Sequence, residues 1–215
     1  MSNDTKDFVN SVVKRLSQMT YIRPDEIPDI NLYMDQVTTF MEDHLNDAKR
    51  YSDDKILTKT MINNYAKNDL LPPPVKKKYS KDHMIMLIFI YYFKNILSIS
   101  DIQSLLTPLS NGFFDGQGSV SLEKIYKEIY NYERSQMVEI AKLISRTQRD
   151  SQELFSDVSD EDERRYLQLF SLVCMLSFDV FARKHVIESV IDQLNEFEEA
   201  KNPKNSKDKK DKNKN

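Results

Sequence analysis

The chain has 215 residues, 40% hydrophobic and 30% charged, with a formal net charge of −3, and is long enough to bury a core as one large or two small domains. Three glycines are too few for a barrel, a sandwich or a Rossmann-type sheet, which need many tight turns and close backbone approaches, so the expected class is all-α. The single cysteine, Cys174, excludes an intrachain disulfide or a cysteine-based metal cluster within one chain; with no signal-like apolar core in residues 1 to 20 and no apolar stretch of about 18 residues, a cytoplasmic protein without a membrane span is expected.

From the N-terminus, Phe8, Val9, Val12, Val13, Leu16 and Met19 fall on one stripe of an amphipathic helix. "RPDEIPD" breaks it, since each proline biases the residue before it away from helix. Ile30, Tyr33, Met34, Val37, Phe40, Met41 and Leu45 recur at spacings of three and four and predict a second helix. After "RYSDDK", Thr58 is placed to cap a helix over roughly residues 59 to 68. Met61, Ile62 and Tyr65 form its inward edge and leave Lys59, Thr60, Asn63, Asn64 and Lys67 outward. Pro72, Pro73 and Pro74 forbid its continuation, because each lacks a backbone donor and fixes φ.

Ser80, with Asp82 in the first turn, starts a strongly apolar helix over roughly 81 to 96, and Ser100 with Gln103 forms a capping box for a short helix through Leu106. Gly112, Gly116 and Gly118 all fall in "SNGFFDGQGS", which marks the strongest domain boundary in the chain. Beyond it, Leu122 to Ile144 trace a long helical stripe, and Asp160 with Glu163 caps a final helix running to about residue 198. Between Tyr166 and Ala182 that helix is apolar nearly all round, so it must be enclosed by neighbours or by a second subunit. The expected organisation is therefore an N-terminal helix and linker (1–29), a first domain (30–107), a glycine-containing linker (108–118), a helical dimerisation or sensor region (119–199) and a disordered lysine-rich tail (200–215).

Charge is unevenly spread. From Lys55 to Lys94 there are eight lysines against two acids, and from Lys201 seven lysines against two aspartates, so the rest of the chain is strongly acidic. A basic island on an acidic protein points to a polyanionic partner for the island alone.

The order helix, "LTKTMINNYAKNDLLPPP", lysines, "YSKDHMIMLIFIYYFKNILSISDIQSLL" resembles the MerR-type winged helix-turn-helix. Tyr65, Asp69, Leu70, Leu71, Pro72 or Pro73, Tyr79, Ser80, Ser98, Ile102, Leu105 and Leu106 stand where that family carries its recognition-helix tyrosine, Gly-Leu-Leu-Pro-like turn, Tyr-Ser helix start and later Ser-x-x-x-Ile-x-x-Leu-Leu segment. The likeness covers about residues 30 to 106. More closely, "IPDINLYMDQVTTFMEDHL" and "LTKTMINNYAKNDLLPPPVKKKYSKDHM" resemble the bacterial family catalogued as domain of unknown function 1836, which implies a MerR-like regulator without a settled biochemical activity. Only Val75 to Lys78 lie between Pro74 and Tyr79, so the β-wing is expected to be minimal or absent.

Major-groove reading needs exposed donors and acceptors on a helix with cations beside it for phosphates. Asn63 and Asn64 can pair with adenine, Thr60 can meet an acceptor or a thymine methyl, Lys59 and Lys67 can contact phosphates at either end, and Lys76, Lys77, Lys78 and Tyr79 can follow the adjacent backbone. The competing reading of the same residues is a solvated helix face and a solvated loop. His44, His83 and His185 lack paired metal-ligand spacing, Cys174 fits a small core residue, and Asp179 fits the solvent edge of its helix. With no glycine-rich phosphate loop or catalytic constellation, neither an enzyme nor a cofactor is expected. The expected function is a DNA-binding transcriptional regulator, a homodimer on a palindromic operator in double-stranded DNA, with a small-molecule or protein effector left open. The alternative is a non-enzymatic helical interaction module that retains the scaffold without specific DNA binding.

Overall fold

The computed structural model describes residues 7–8, 11–14 and 22–201. It is mostly helical, in two compact units: Pro24–Tyr126 with the chain from Lys184 onward, and Lys127–Arg183 with the segment before Pro24. Residues 7–8 and 11–14 are helical; the rest of the stripe expected over 8 to 19 lies outside the described residues, as does the tail beyond Lys201.

In the first unit, β1 (Leu32–Tyr33) leads directly into α1 (Met34–Leu45). Gln36 Oε1 accepts from the Tyr33 amide at 2.9 Å and so satisfies one donor at the helix start. Val37, Met41 and Leu45, four residues apart, bury one face. Ile30 and Tyr33, read from their spacing as part of this helix, precede it and are exposed.

The second helix, α2 (Lys59–Lys67), starts as expected: Thr58 Oγ1 accepts from the Met61 amide at 3.2 Å. Its end differs from expectation. The helix ends at Lys67, five residues before the first proline, and the chain turns away at Asp69, which holds the left-handed conformation (φ 55°). The Leu70 amide reaches back to the Tyr65 carbonyl at 2.9 Å and the Asp69 amide to the Ala66 carbonyl at 3.4 Å, the pattern of a Schellman motif. Leu70 and Leu71 are then buried, and the prolines direct a chain that has already left the helix.

Two residues of β2 (Lys78–Tyr79) pair antiparallel with β1, Leu32 opposite Tyr79 and Tyr33 opposite Lys78. Next, α3 (Lys81–Phe93) is apolar on every side, and His83 through Tyr91 are all buried. A helix without a solvent face must be enclosed. Its neighbours include β2 and α4 (Ile99–Phe113), and Tyr126, whose ring meets Phe89 edge-on at 5.7 Å. Lys94, just past its end, donates to the Ile56 carbonyl at 2.6 Å and holds the loop before α2 against it.

The cap of α4 is Ser98 with Asp101, not Ser100 with Gln103. Ser98 Oγ accepts from the Asp101 amide at 3.1 Å, and Asp101 Oδ2 takes the Ser98 hydroxyl at 2.6 Å. Gln103 is thereby free to donate to the Asn68 carbonyl at the end of α2, at 3.1 Å. The helix continues through Pro108 to Phe113, so the expected linker over 108–118 is helix followed by a tight turn. Asp115 (φ 53°) and Gly116 (φ 72°) make that turn left-handed, and the Asp115 amide is held by Asp82 Oδ2 at 2.8 Å. A Cβ on Gly118 would stand 2.5 Å from the Gly112 carbonyl oxygen. The glycines are clustered because the chain folds back on itself here.

Two long helices complete the described chain, α5 (Leu122–Glu153) and α6 (Glu161–Lys201). Asp160 Oδ1 caps α6 by accepting from the Glu163 amide at 2.8 Å. Gln168 donates to the Gln152 and Leu154 carbonyls, at 2.7 and 3.0 Å, supplying donors to the end of α5. The expectation that α6 is enclosed by neighbours or a second subunit is not met among the described residues of one chain: only 6% of its most apolar 18-residue window is buried. Cys174, expected in a core, is exposed on it. Asp179 lies at the surface, bonded through both oxygens to Arg183 Nε at 3.1 Å.

Two substitutions test the turn. Gly118→Ala forces its Cβ against a backbone carbonyl and should cost about 1–3 kcal/mol. Gly112→Ala meets open space on a helix and should be neutral or stabilising by up to about 1 kcal/mol. Urea denaturation of the two variants should show opposite signs.

Candidate nucleic-acid interface

On α2, Ile62 and Tyr65 are buried, which turns the opposite side to solvent. Thr60, Asn63, Asn64 and Lys67 are exposed and stand at i, i+3, i+4 and i+7, one stripe of a helix. Among the described residues the Asn63 and Asn64 side-chain amides have no hydrogen-bond partner, and Lys67 has no ion pair. Both amides therefore present a donor and an acceptor outward. Lys59, also exposed, is ion-paired with Asp35 in the first turn of α1, so its charge is partly answered within the fold.

The expected minimal wing is a two-residue hairpin. The Val75 amide donates to the Lys78 carbonyl at 3.1 Å and the Lys78 amide returns to the Val75 carbonyl at 3.0 Å, with Lys76 (φ 51°) and Lys77 (φ 62°) at the tip. Two-residue hairpins favour left-handed central residues because this twist matches the strands, and Asn-Gly is the sequence that adopts them at least cost. Lysine has a Cβ and no local hydrogen bond to offset the strain, of about 1–2 kcal/mol for each residue. Both tip lysines are exposed and, among the described residues, carry no ion pair.

Lys78 and Tyr79 point elsewhere. The Lys78 ammonium lies 5.0 Å from the centre of the Tyr33 ring, a cation–π contact that keeps it half-buried. Tyr79 is 3% exposed and faces inward, which removes it from the candidate contacts; burial also raises its phenol pKa. Its place in the resemblance to a Tyr-Ser helix start is structural. Lys78 and Lys59 meet Tyr33 and Asp35, two residues apart, so the hairpin base and the start of α2 are both anchored at the N-terminus of α1.

The basic island is smaller in space than in sequence. Lys81 is held by Asp29 at 2.6 Å and Glu123 at 2.9 Å, and Lys94 is engaged with the Ile56 carbonyl, where burial lowers its pKa. The cations left to face a polyanion from the predicted set are Lys67, Lys76 and Lys77, with Lys59 in competition with Asp35.

His83 fixes the junction between hairpin and α3. Its Nδ1 accepts from the Ser80 amide at 3.0 Å and lies 2.8 Å from the Ser80 hydroxyl, so the neutral ring carries its proton on Nε2. Among the described residues that buried atom has no partner in hydrogen-bonding geometry. The ring is packed edge-on to Phe114 at 4.8 Å and Tyr79 at 5.5 Å. Burial lowers its pKa below 6.5, against the opposing pull of the Pro73 and Pro72 carbonyls and the Asp115 and Asp82 carboxylates. His44, by contrast, is exposed, stacked on Phe40 at 4.1 Å.

A feature missed in the sequence is the regular seam along α6. Tyr166, Val173, Val180, Ile187 and Leu194 recur every seventh residue, with Leu169, Leu176, Arg183, Val190 and Phe197 three residues after each. Tyr166, Val173 and Val180 are 68%, 61% and 61% exposed. The heptad was legible in the spacing but hidden by the additional apolar residues Phe170, Met175, Phe178 and Phe181, which make the helix look apolar all round.

The family model described as Domain of unknown function (DUF1836) matches residues 22–129, which contain the α2 stripe and the hairpin. No curated protein and no solved structure matches the chain.

Two outcomes follow from this geometry. Replacing the hairpin tip by Lys76→Asn/Lys77→Gly should raise stability by about 1–2 kcal/mol in chemical denaturation, by relieving left-handed strain. For His83, the unfolded chain takes up a proton as pH falls through 6.5 while the folded chain resists it until its own lower pKa. Stability should therefore be full above pH 6.5 and decline below it, by at most about 1.4 kcal/mol per pH unit. His83→Gln keeps an acceptor for the Ser80 amide without titrating and should flatten that decline; Asp82, whose pKa burial raises, acts in the opposite sense at lower pH.

Proposed function

We propose, from the premise that the chain belongs to the Domain of unknown function (DUF1836) family, that it is a DNA-binding transcriptional regulator of MerR-like winged helix-turn-helix type acting as a homodimer. The observation that carries this reading is the hairpin tip: two unpaired lysines occupy strained left-handed positions where Asn-Gly would be relaxed, close in sequence to a helix whose outward stripe offers two unpartnered amides and a lysine. Backbone strain retained at an exposed cationic tip fits a site kept for contact with a ligand. In the MerR resemblance Asp69 takes the place of the turn glycine, and its left-handed backbone is what a glycine there would provide. Asn63, Asn64 and Thr60 are assigned to base edges, Lys67, Lys76 and Lys77 to phosphates.

The second subunit is assigned to the seam of α6. A seven-residue apolar repeat sustained from Tyr166 to Phe197 is the pattern of a helix that pairs with another helix, and the one charge in it, Arg183, is bonded to Asp179. By length and composition alone the same helix would also cross a bilayer; Asp179 and Arg183 within the apolar stretch, and the heptad spacing, favour a second copy. Twofold symmetry would then place the recognition helices about 34 Å apart, or a multiple of it, on a palindromic site.

Gel shift with fragments of the source genome tests the reading. Three available lysines per subunit should give a slope of log K against log salt of about −3 per subunit. Changing Asn63, Asn64 and Lys67 to alanine should abolish the specific shift with the fold intact, whereas a helical interaction module would keep its partner; no shift with any fragment at low salt would contradict the proposal. Sedimentation in detergent-free buffer should give a dimer that Val173→Glu/Val180→Glu converts to monomer. A wild-type monomer that partitions into lipid vesicles would instead assign α6 to a membrane.

A further inference from the structure

The ion pair between Lys59 and Asp35 joins the start of α2 to the first turn of α1. Lys59, Asn63 and Lys67 stand at i, i+4 and i+8 of α2, so Lys59 borders the outward stripe that carries the asparagine amides. By position it would add a fourth cation to Lys67, Lys76 and Lys77. Its partner separates it from them: those three carry no ion pair among the described residues, whereas the Lys59 ammonium is held by a carboxylate.

Both side chains of the pair are open to solvent, Asp35 at 77% and Lys59 at 60%. A pair so exposed contributes little to the stability of the fold, because water and salt screen it. Its effect on the surface is larger. The pair has no net charge, and the more exposed member is the carboxylate, so a phosphate approaching this end of α2 meets a negative charge before it meets the ammonium. An acid in the first turn is ordinary at a helix N-terminus, but that role does not require it to hold the ammonium of a second helix.

We propose that Asp35 is a positioning residue that limits the affinity of this surface: it holds Lys59 away from the phosphates of duplex DNA, so that binding uses three lysines per subunit and not four. The inference rests on the DNA reading. Phosphate contacts carry no sequence information, so the limit falls equally on every DNA and leaves sequence preference to Thr60, Asn63 and Asn64.

Fluorescence anisotropy of the full-length chain on its selected DNA fragment, repeated between about 50 and 200 mM salt, tests this. Asp35→Asn should bind at least about three-fold more tightly at the lower salt, with the slope of log K against log salt steeper by about one per subunit. Asp35→Glu keeps the charge and should restore the wild-type slope. Lys59→Met alone should leave the slope unchanged, and in that background Asp35→Asn should give no gain. A merely structural role for Asp35 would move the melting temperature of these variants and not the salt slope. An unchanged slope in Asp35→Asn, or a slope flattened by about one in Lys59→Met alone, would overturn the assignment. So would a gain that survives undiminished in the Lys59→Met background, since the carboxylate would then act on DNA by repulsion alone. A wild type that binds no DNA at low salt contradicts the DNA reading and this inference with it; a wild type that binds, with Asp35→Asn no different, contradicts this inference only.

Discussion

The first unit is built round a helix that has no side to show to water. From His83 to Tyr91 every residue of α3 is buried, and at about 1.5–3 kcal/mol for each large apolar side chain this is the largest continuous gain in the unit. Such a helix cannot begin or end freely. His83 folds back to take the Ser80 amide, Asp82 takes the amide of the left-handed turn at Asp115, and Lys94 holds the loop that precedes α2. One element thus sets where the hairpin emerges, where α4 turns back and where α2 is presented.

Strain is distributed unevenly round that frame. Asp69, Lys76 and Lys77 all hold left-handed backbone within nine residues, one at the exit of α2 and two at the tip of the hairpin. Asp69 is repaid by the Schellman hydrogen bonds and by burial of Leu70 and Leu71. The tip lysines gain only two backbone hydrogen bonds between Val75 and Lys78 and remain exposed. Asparagine and glycine are the residues that would relax this turn.

Much of this was legible in the sequence because it rests on period. The outward stripe of α2 followed from three- and four-residue spacing against Ile62 and Tyr65, and Thr58 and Asp160 marked helix starts by side-chain chemistry. Spacing carries no information on where a local hydrogen bond outcompetes its neighbour, so neither the Ser98 cap in place of Ser100 nor the Schellman end of α2 ahead of the prolines is visible in it. Tyr79 is expected among the DNA contacts beside Lys76 to Lys78, yet it pairs opposite Leu32 and is turned inward by the period-two alternation of a strand. Lys81 and Lys94 look like free charge in the sequence because their partners, Asp29, Glu123 and the Ile56 carbonyl, are distant in it. The glycine cluster reads as a linker in the sequence, because the contact that requires Gly118, with the carbonyl of Gly112, exists only after the turn has closed.

The proposed nucleic-acid surface consists of the α2 stripe and the strained hairpin together. Hydrogen exchange of the full-length chain, with and without its selected DNA fragment, measures this residue by residue. New protection is expected in residues 59–67 and 75–78, with α3 already protected in both states. Protection confined to α5 and α6, or none in the α2 and hairpin segments while DNA is bound, would contradict it.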